Sequence, residues 1–295
     1  MAIKISIDLL KSRNLFFHKK SFVWSFLDLR SRPFLTLHFR LKRFLFEKRR
    51  VHKRKKLILK LKTRPTSAMT KFALGENLKL NNLTKYKEQY KSENFSFIEN
   101  FFETNTHNAL CDSFPNEVFF SYPRTGEKFY RVSHETIWIR DRNDTTFNSS
   151  IGTEFFDIYP SYRIFYDFLN SPEMADTVKI LTGSQNVKLY SILLNRCQEG
   201  SFLAPHQDTV AKNREPGEKV MINIIYFLLA GGASPENSGG TGIYNDNEFN
   251  SPKFIPTNLR NSALIYNSTD SFYHGFDLMS PGSFRWAITI QFKIS

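Results

Sequence analysis

Six short β-rich runs, at 187–197, 220–229, 242–245, 253–255, 263–267 and 284–294, fill the C-terminal part of the chain, and clusters of Gly, Pro, Asn and Ser such as 231–242 separate them. Strands this short cannot bury an apolar face singly, so they are expected to pair into two packed sheets, a sandwich or a double-sheet jelly roll. Upstream the period changes. Ile164, Phe165, Phe168 and Leu169 fall at helical spacing, and Ser171, Pro172 and Glu173 open a second helix that ends near Gly183. Phe95, Phe97, Ile98, Phe101 and Phe102 read as an opening strand, followed by a covering helix from Asn105 toward Phe114 that Pro115 ends. Residues 121–150, rich in Ser, Thr, Asp, Asn and Arg, read as a long loop or lid. Thirty Phe and twelve Tyr can furnish an aromatic core for such a body.

Three side chains of the β-rich half have the types a metal requires: His206 and Asp208 in Ala-Pro-His-Gln-Asp-Thr, and His274 in Ser-Phe-Tyr-His-Gly-Phe-Asp. Residues two apart on a strand share a face, so His206 and Asp208 form one pincer while Gln207 turns away. His274, 66 residues after Asp208, must come from another strand. Two imidazoles and one carboxylate on one side of an octahedron suit Fe(II) and leave three adjacent positions for a bidentate ligand and O2. A 2-oxo acid bound there needs its far carboxylate anchored, and a buried guanidinium does this well because it stays charged and grips both oxygens. Arg285 follows His274 by eleven residues, at the start of Phe-Arg-Trp-Ala-Ile-Thr-Ile-Gln-Phe. Alternation puts Arg285, Ala287, Thr289 and Gln291 on one face, suited to a cavity, and Trp286, Ile288, Ile290 and Phe292 on the other, suited to packing under helices.

The order His-x-Asp, distant His, then Arg resembles the iron(II)- and 2-oxoglutarate-dependent oxygenase superfamily, in particular its prolyl-4-hydroxylase-like branch. Residues 198–208, Gln-Glu-Gly-Ser-Phe-Leu-Ala-Pro-His-Gln-Asp, resemble that branch's strand, glycine turn and His-x-Asp segment. Residues 220–228 resemble its next core strand, 238–244 (Ser-Gly-Gly-Thr-Gly-Ile-Tyr) its Gly-Gly hairpin, and 95–115 its opening strand, helix and Phe-Pro unit. The resemblance covers roughly 94–295 and is concentrated in 198–295. It implies an α+β, mainly β fold: a double-stranded β-helix (jelly roll) core at 186–295 with N-terminal covering helices within 94–185, the whole domain running from 69 to 295. It further implies His206, Asp208 and His274 as iron ligands, Arg285 as the partner of the 2-oxoglutarate C5 carboxylate, and Fe(II), 2-oxoglutarate and O2 as the reacting set. Members of the branch often carry a Tyr nine or ten residues before the metal-binding His. Here Arg196 and Cys197 stand there, which leaves Asn195 and Tyr190, on the same strand, as candidates for that cosubstrate contact. The implied activity is hydroxylation of a peptidyl residue, proline among them, or of a small metabolite, with release of succinate and CO2. Asp208 fills the position that a halogenase of this type leaves vacant for chloride.

Competing readings of these residues are weaker. A lone His-x-Asp could be a hydrogen-bonded loop pair, but His274 and Arg285 follow in order, each in β context. A Ser-His-Asp hydrolase would need a Gly-x-Ser-x-Gly elbow, which is absent, and no phosphate-binding Gly-Lys-Ser/Thr loop occurs. His134 reads as a surface histidine, Tyr273 as packing and Cys197 as a small buried hydrophobe. From a different class, a noncatalytic jelly-roll binding module stays open.

The net charge of +13 is unevenly placed. Residues 1–68 carry 20 Lys+Arg against Asp8, Asp28 and Glu47, whereas the remainder carries 21 against 25, a balance of −4. The basic excess therefore belongs to an extension with no sustained period, interrupted by Pro33 and Pro65, and read as poorly ordered or as preceding a native start at Met69. Its Lys/Arg clusters suit weak contact with an anionic surface. The acidic body argues against nucleic acid as the substrate. Two cysteines, Cys111 and Cys197, provide no disulfide framework, and no run of eighteen apolar residues occurs. With no secretory leader evident, a reducing, cytoplasmic setting without transmembrane segments is expected.

Overall fold

The computed structural model describes residues 71–120, 135–140, 154–207, 221–232, 240–267 and 273–294, together with Lys53. The basic extension, most of the 121–150 stretch with His134, and Asp208 lie outside the described residues. In chain order the helices are α1 (Leu80–Glu93), α2 (Thr104–Asp112), α3 (Glu154–Ile158), α4 (Pro160–Leu169) and α5 (Pro172–Thr182). The strands are β1 (Phe95–Glu99), β2 (Glu135–Arg140), β3 (Val187–Gln198), β4 (Leu203–His206), β5 (Met221–Gly231), β6 (Gly242–Tyr244), β7 (Pro252–Phe254), β8 (Ser262–Asn267), β9 (Tyr273–Phe276) and β10 (Phe284–Ile294). They form a six-stranded sheet, β1-β8-β5-β10-β3-β2, and a four-stranded sheet, β4-β9-β6-β7, with every described pairing antiparallel. This is the expected mainly β jelly roll with N-terminal helices.

The strand alternation decides what each face of the large sheet meets. Ile288, Ile290 and Phe292 of β10 join Ile222, Ile224, Tyr226 and Leu228 of β5 in the core that also holds Phe165 and Leu169 of α4 and Val178 and Leu181 of α5, with Trp286 packed against it. Phe114 stacks on Trp286 with ring centroids 4.5 Å apart. The opposite face of β10 contributes Ala287 to a second core with Ile225, Phe227, Leu264 and Ile243, between the two sheets. β5, central in the large sheet, is covered on both faces for this reason and is apolar along Ile222–Leu228 apart from Asn223.

A buried polar clamp ties the helical layer to β5. Asn261, held at φ 49°, accepts from the Phe102 N–H and the Tyr226 hydroxyl at its Oδ1 and donates from Nδ2 to the Phe102 carbonyl. The Tyr226 hydroxyl lies 2.8 Å from Nδ1 of His107 on α2. Burial, with Arg260 nearby, lowers the His107 pKa and so favours the neutral ring.

Two departures from expectation concern the first half. The stretch read as a 121–150 loop contains β2, paired with β3 from Glu135↔Arg196 to Arg140↔Ser191. Its buried Ile137 and Ile139 alternate correctly, but a run of six residues is diluted when thirty are weighed by composition. Together with β1, the opening strand expected at the start of this region, it forms the two edges of the large sheet. The second is α1, in a stretch to which the sequence reading assigns no element; its Leu83, Tyr86 and Tyr90 are buried at helical spacing and its end is set by Asn94 in the left-handed region.

The α4–α5 reading holds in detail. The Ser171 hydroxyl accepts from the Met174 N–H, Pro172 occupies the first turn, and Gly183 closes α5 at φ 72°. Ser171→Ala is expected to cost about 1 kcal/mol in a urea melt, with an unchanged m-value. No helix among the described residues is long and apolar enough to cross a membrane.

Candidate active site

β4 and β9 are neighbours in the small sheet, and their register sets His206 directly opposite His274. The two rings lie 4.4 Å apart between centroids. Close approach of the strands depends on Gly275: a Cβ there would meet the Leu203 carbonyl oxygen at 2.5 Å and the Pro205 nitrogen at 2.8 Å. Gly275→Ala is therefore expected to push β4 from β9, lowering stability by about 1–3 kcal/mol and spreading the imidazoles. A melt would read the first effect and the binding of a divalent transition metal the second, with affinity falling about tenfold.

His206 Nδ1 lies 2.9 Å from the Ala204 carbonyl oxygen. Donation from Nδ1 to that carbonyl fixes the ring and leaves Nε2 as the basic nitrogen, which is the tautomer a metal ligand needs. His274 is buried, and the Tyr266 ring of the large sheet rests against it at 4.9 Å. Among the described residues no group of three His, Cys, Asp or Glu could hold a metal, and Asp208, the expected third donor, is not one of those residues.

Arg285 begins the inward face of β10 and is only 3% exposed. Its Nη1 donates to Thr241 Oγ1 at 3.0 Å and its Nη2 to Cys197 Sγ at 3.2 Å, while the guanidinium carbon lies 4.1 Å from the Phe276 ring centroid. Phe276 is two residues past His274 on β9, so the guanidinium stands about 7 Å further along from the imidazole pair. Cys197 is Arg285's cross-strand partner, and burial raises its thiol pKa even though the guanidinium pulls the other way. It is the small buried side chain expected, with the added duty of accepting from Arg285.

Asn195 lies on the same inward face, opposite Ala287, and its Nδ2 donates to Thr289 Oγ1 at 2.9 Å. Tyr190 does not join them. A register shift between Gln291 and Phe292 carries it to the far end of β3, where the Lys293 ammonium sits 4.7 Å from its ring centroid. Ser191, its neighbour, pairs with Gln291, six residues and about 20 Å along β10 from Arg285. Tyr190 is half-buried there, and the structure does not bring it beside Arg285. Thr241, Phe276 and Tyr266 were not singled out from the sequence. Thr241 sits in the Gly-Gly-Thr-Gly turn and Tyr266 alternates with Leu264, and these were the available signals.

No family profile matches the chain, and no curated protein matches it. Solved structures do resemble it. A prolyl hydroxylase from Trichoplax adhaerens, in complex with a hypoxia-inducible-factor oxygen degradation domain peptide fragment, aligns at TM-score 0.50 and 14% identity, covering 74% of this chain and 90% of that one. The non-haem α-ketoglutarate-dependent epimerase SnoN of nogalamycin biosynthesis aligns at TM-score 0.51 and 10% identity, covering 72% and 81%. A prolyl 4-hydroxylase from Phytophthora capsici aligns at TM-score 0.50 and 14% identity, covering 79% and 69%. At such identities the likeness establishes the fold: this chain has the jelly roll on which those enzymes are built.

Proposed function

We propose that the chain is an iron(II)- and 2-oxoglutarate-dependent dioxygenase that hydroxylates a peptidyl residue, proline among them, or a small metabolite, releasing succinate and CO2. The observation that carries this reading is the cross-strand His206–His274 pair with a buried Arg285 resting on Phe276, two residues past His274 on the same strand. The donor set fits the group: two imidazoles, one already held in the metal-binding tautomer, with the carboxylate of Asp208 two residues after His206 as third ligand. Bound there, iron(II) and 2-oxoglutarate supply the activation of O2 that couples decarboxylation of the keto acid to hydroxylation of the substrate.

The chain's own residues do the rest. Ala204 orients His206 through its carbonyl, and Gly275 lets the two histidine strands approach. Arg285, splayed between Thr241 and Cys197 and resting on Phe276, presents a permanent positive charge to the distal carboxylate of the keto acid. Asn195 and Thr289 line the same face, and Phe227, Ala287 and Ile243 keep the interior apolar and strengthen the charge interaction. Anaerobic titration of the purified protein with Fe(II) and 2-oxoglutarate is expected to develop a weak visible metal-to-ligand charge-transfer band. Bound iron without that band would overturn the proposal.

A further inference from the structure

One row of the large sheet is polar where its surroundings are not. Tyr266 on β8 stands opposite Asn223 on β5, Asn223 opposite Gln291 on β10, and Gln291 opposite Ser191 on β3. The four side chains are joined in sequence: Ser191 Oγ donates to Gln291 Oε1, Gln291 Nε2 to Asn223 Oδ1 at 3.1 Å, and Asn223 Nδ2 to the Tyr266 hydroxyl at 3.2 Å. Ser191, Asn223 and Tyr266 are buried and Gln291 is half-buried.

The row stands out against its neighbours. The residues beside it that point the other way, Ile192, Ile222, Ile224, Ile265, Ile290 and Phe292, are all buried and apolar. The next row on its own face, Leu264, Ile225, Thr289 and Leu193, is apolar apart from Thr289. Burying four hydrogen-bonding side chains costs desolvation that their mutual bonds only offset, so a purely structural sheet would fill these positions with Val or Ile. The row's position points to its use. Tyr266 carries it to the His274 ring, and along β10 Gln291 lies six residues from Arg285.

Resting on the function proposed above, we infer that this row is the wall that receives the substrate, and that the group it receives is an uncharged amide, a peptide bond or a primary carboxamide. The row contains neither a cation nor an anion. The next residue on this face, Lys293, is exposed and lies over Tyr190. Among the described residues of the row, a carboxylate or ammonium ion would exchange its hydration for neutral dipoles, whereas an amide both donates and accepts, as the row does. A carboxamide has two N–H groups and two lone pairs. The ladder uses one of each on Gln291, which keeps a second donor and a second acceptor for a ligand while its orientation is held from both sides.

The test uses the full-length chain with 2-oxoglutarate and Mn(II), which occupies the iron site without turnover. Electron paramagnetic resonance reads metal binding, and paramagnetic broadening of NMR lines reads which probes approach the metal. Four pools serve as probes: N-acetylated and C-amidated dipeptides, small primary carboxamides, zwitterionic dipeptides, and dicarboxylates. Broadening is expected in the blocked dipeptides or the carboxamides, and the difference between those two arms tells a peptide bond from a free carboxamide. Gln291→Leu should weaken the broadened pool's affinity about tenfold without changing Mn(II) affinity. Gln291→Glu should move the preference toward probes with a free ammonium, and a merely structural row would produce no such change in selectivity. Ser191→Ala, a smaller change, should give an intermediate loss by releasing one side of the carboxamide. Bound Mn(II) with broadening confined to charged pools, with none in any pool, or with Gln291→Leu and Ser191→Ala both without effect would overturn this inference alone. Failure to bind Mn(II) would overturn the proposed function and this inference with it.

Discussion

The His274→Ala variant is expected to lose the Fe(II)–2-oxoglutarate charge-transfer band and to bind the metal at least about a hundredfold more weakly. Removing a hydrogen-bonding neighbour of a metal ligand already costs ten- to a hundredfold, and here the proposed ligand itself is withdrawn. His274 is the better of the two imidazoles to delete. It is buried and sandwiched between His206 and Tyr266, so no other described side chain can swing into its place. The variant must be shown to fold, because truncating a buried ring leaves a cavity. His274→Gln, which keeps most of the volume but not the imidazole, separates the two effects: its melt should approach that of the parent while the band stays absent. A variant that retains the band would remove His274 from the ligand set.

Arg285→Ala is expected to raise the 2-oxoglutarate dissociation constant on the order of a hundredfold while leaving Fe(II) binding in the absence of keto acid nearly unchanged. A charge-assisted hydrogen bond contributes about 1.5–3 kcal/mol, and a guanidinium can make two to one carboxylate, so a hundredfold loss, about 2.8 kcal/mol, is a conservative reading. Arg285→Lys should fall between. A lysine keeps a positive charge near Phe276, but it cannot donate to Thr241, Cys197 and a carboxylate in one plane as the guanidinium can. Calorimetric titration of 2-oxoglutarate into the Mn(II)-loaded protein reads all three. Equal affinity in parent and Arg285→Ala would remove Arg285 from the proposed 2-oxoglutarate site.

What could be read before the fold was known was whatever a local period encodes. β3, β5 and β10 are long, apolar and bounded by turn residues, and their positions agree with expectation to within a residue or two. The two-faced reading of β10 also holds, with Trp286, Ile288, Ile290 and Phe292 toward the helices and Ala287 toward the inter-sheet core. β2 escaped because six residues of alternation are faint inside a polar stretch, and its pairing with β3 is the interaction that makes it a strand. Tyr190 shares β3 with Asn195, yet a register shift and the length of that strand put it at the opposite end from Arg285.

The order of His206, Asp208, His274 and Arg285 along the chain, their residue types and their β context are properties of the sequence alone, because metal donors and a permanent cation are recognisable one residue at a time. Which of them meet was decided by the tertiary structure. The pairing of His206 with His274 depends on β4 and β9 becoming neighbours over a glycine, and the Ser191–Gln291–Asn223–Tyr266 row on four strands aligning in register. Contacts of that kind join residues as many as a hundred positions apart, and the hydrogen bonds of the sheets, not any short-range preference of the chain, select them.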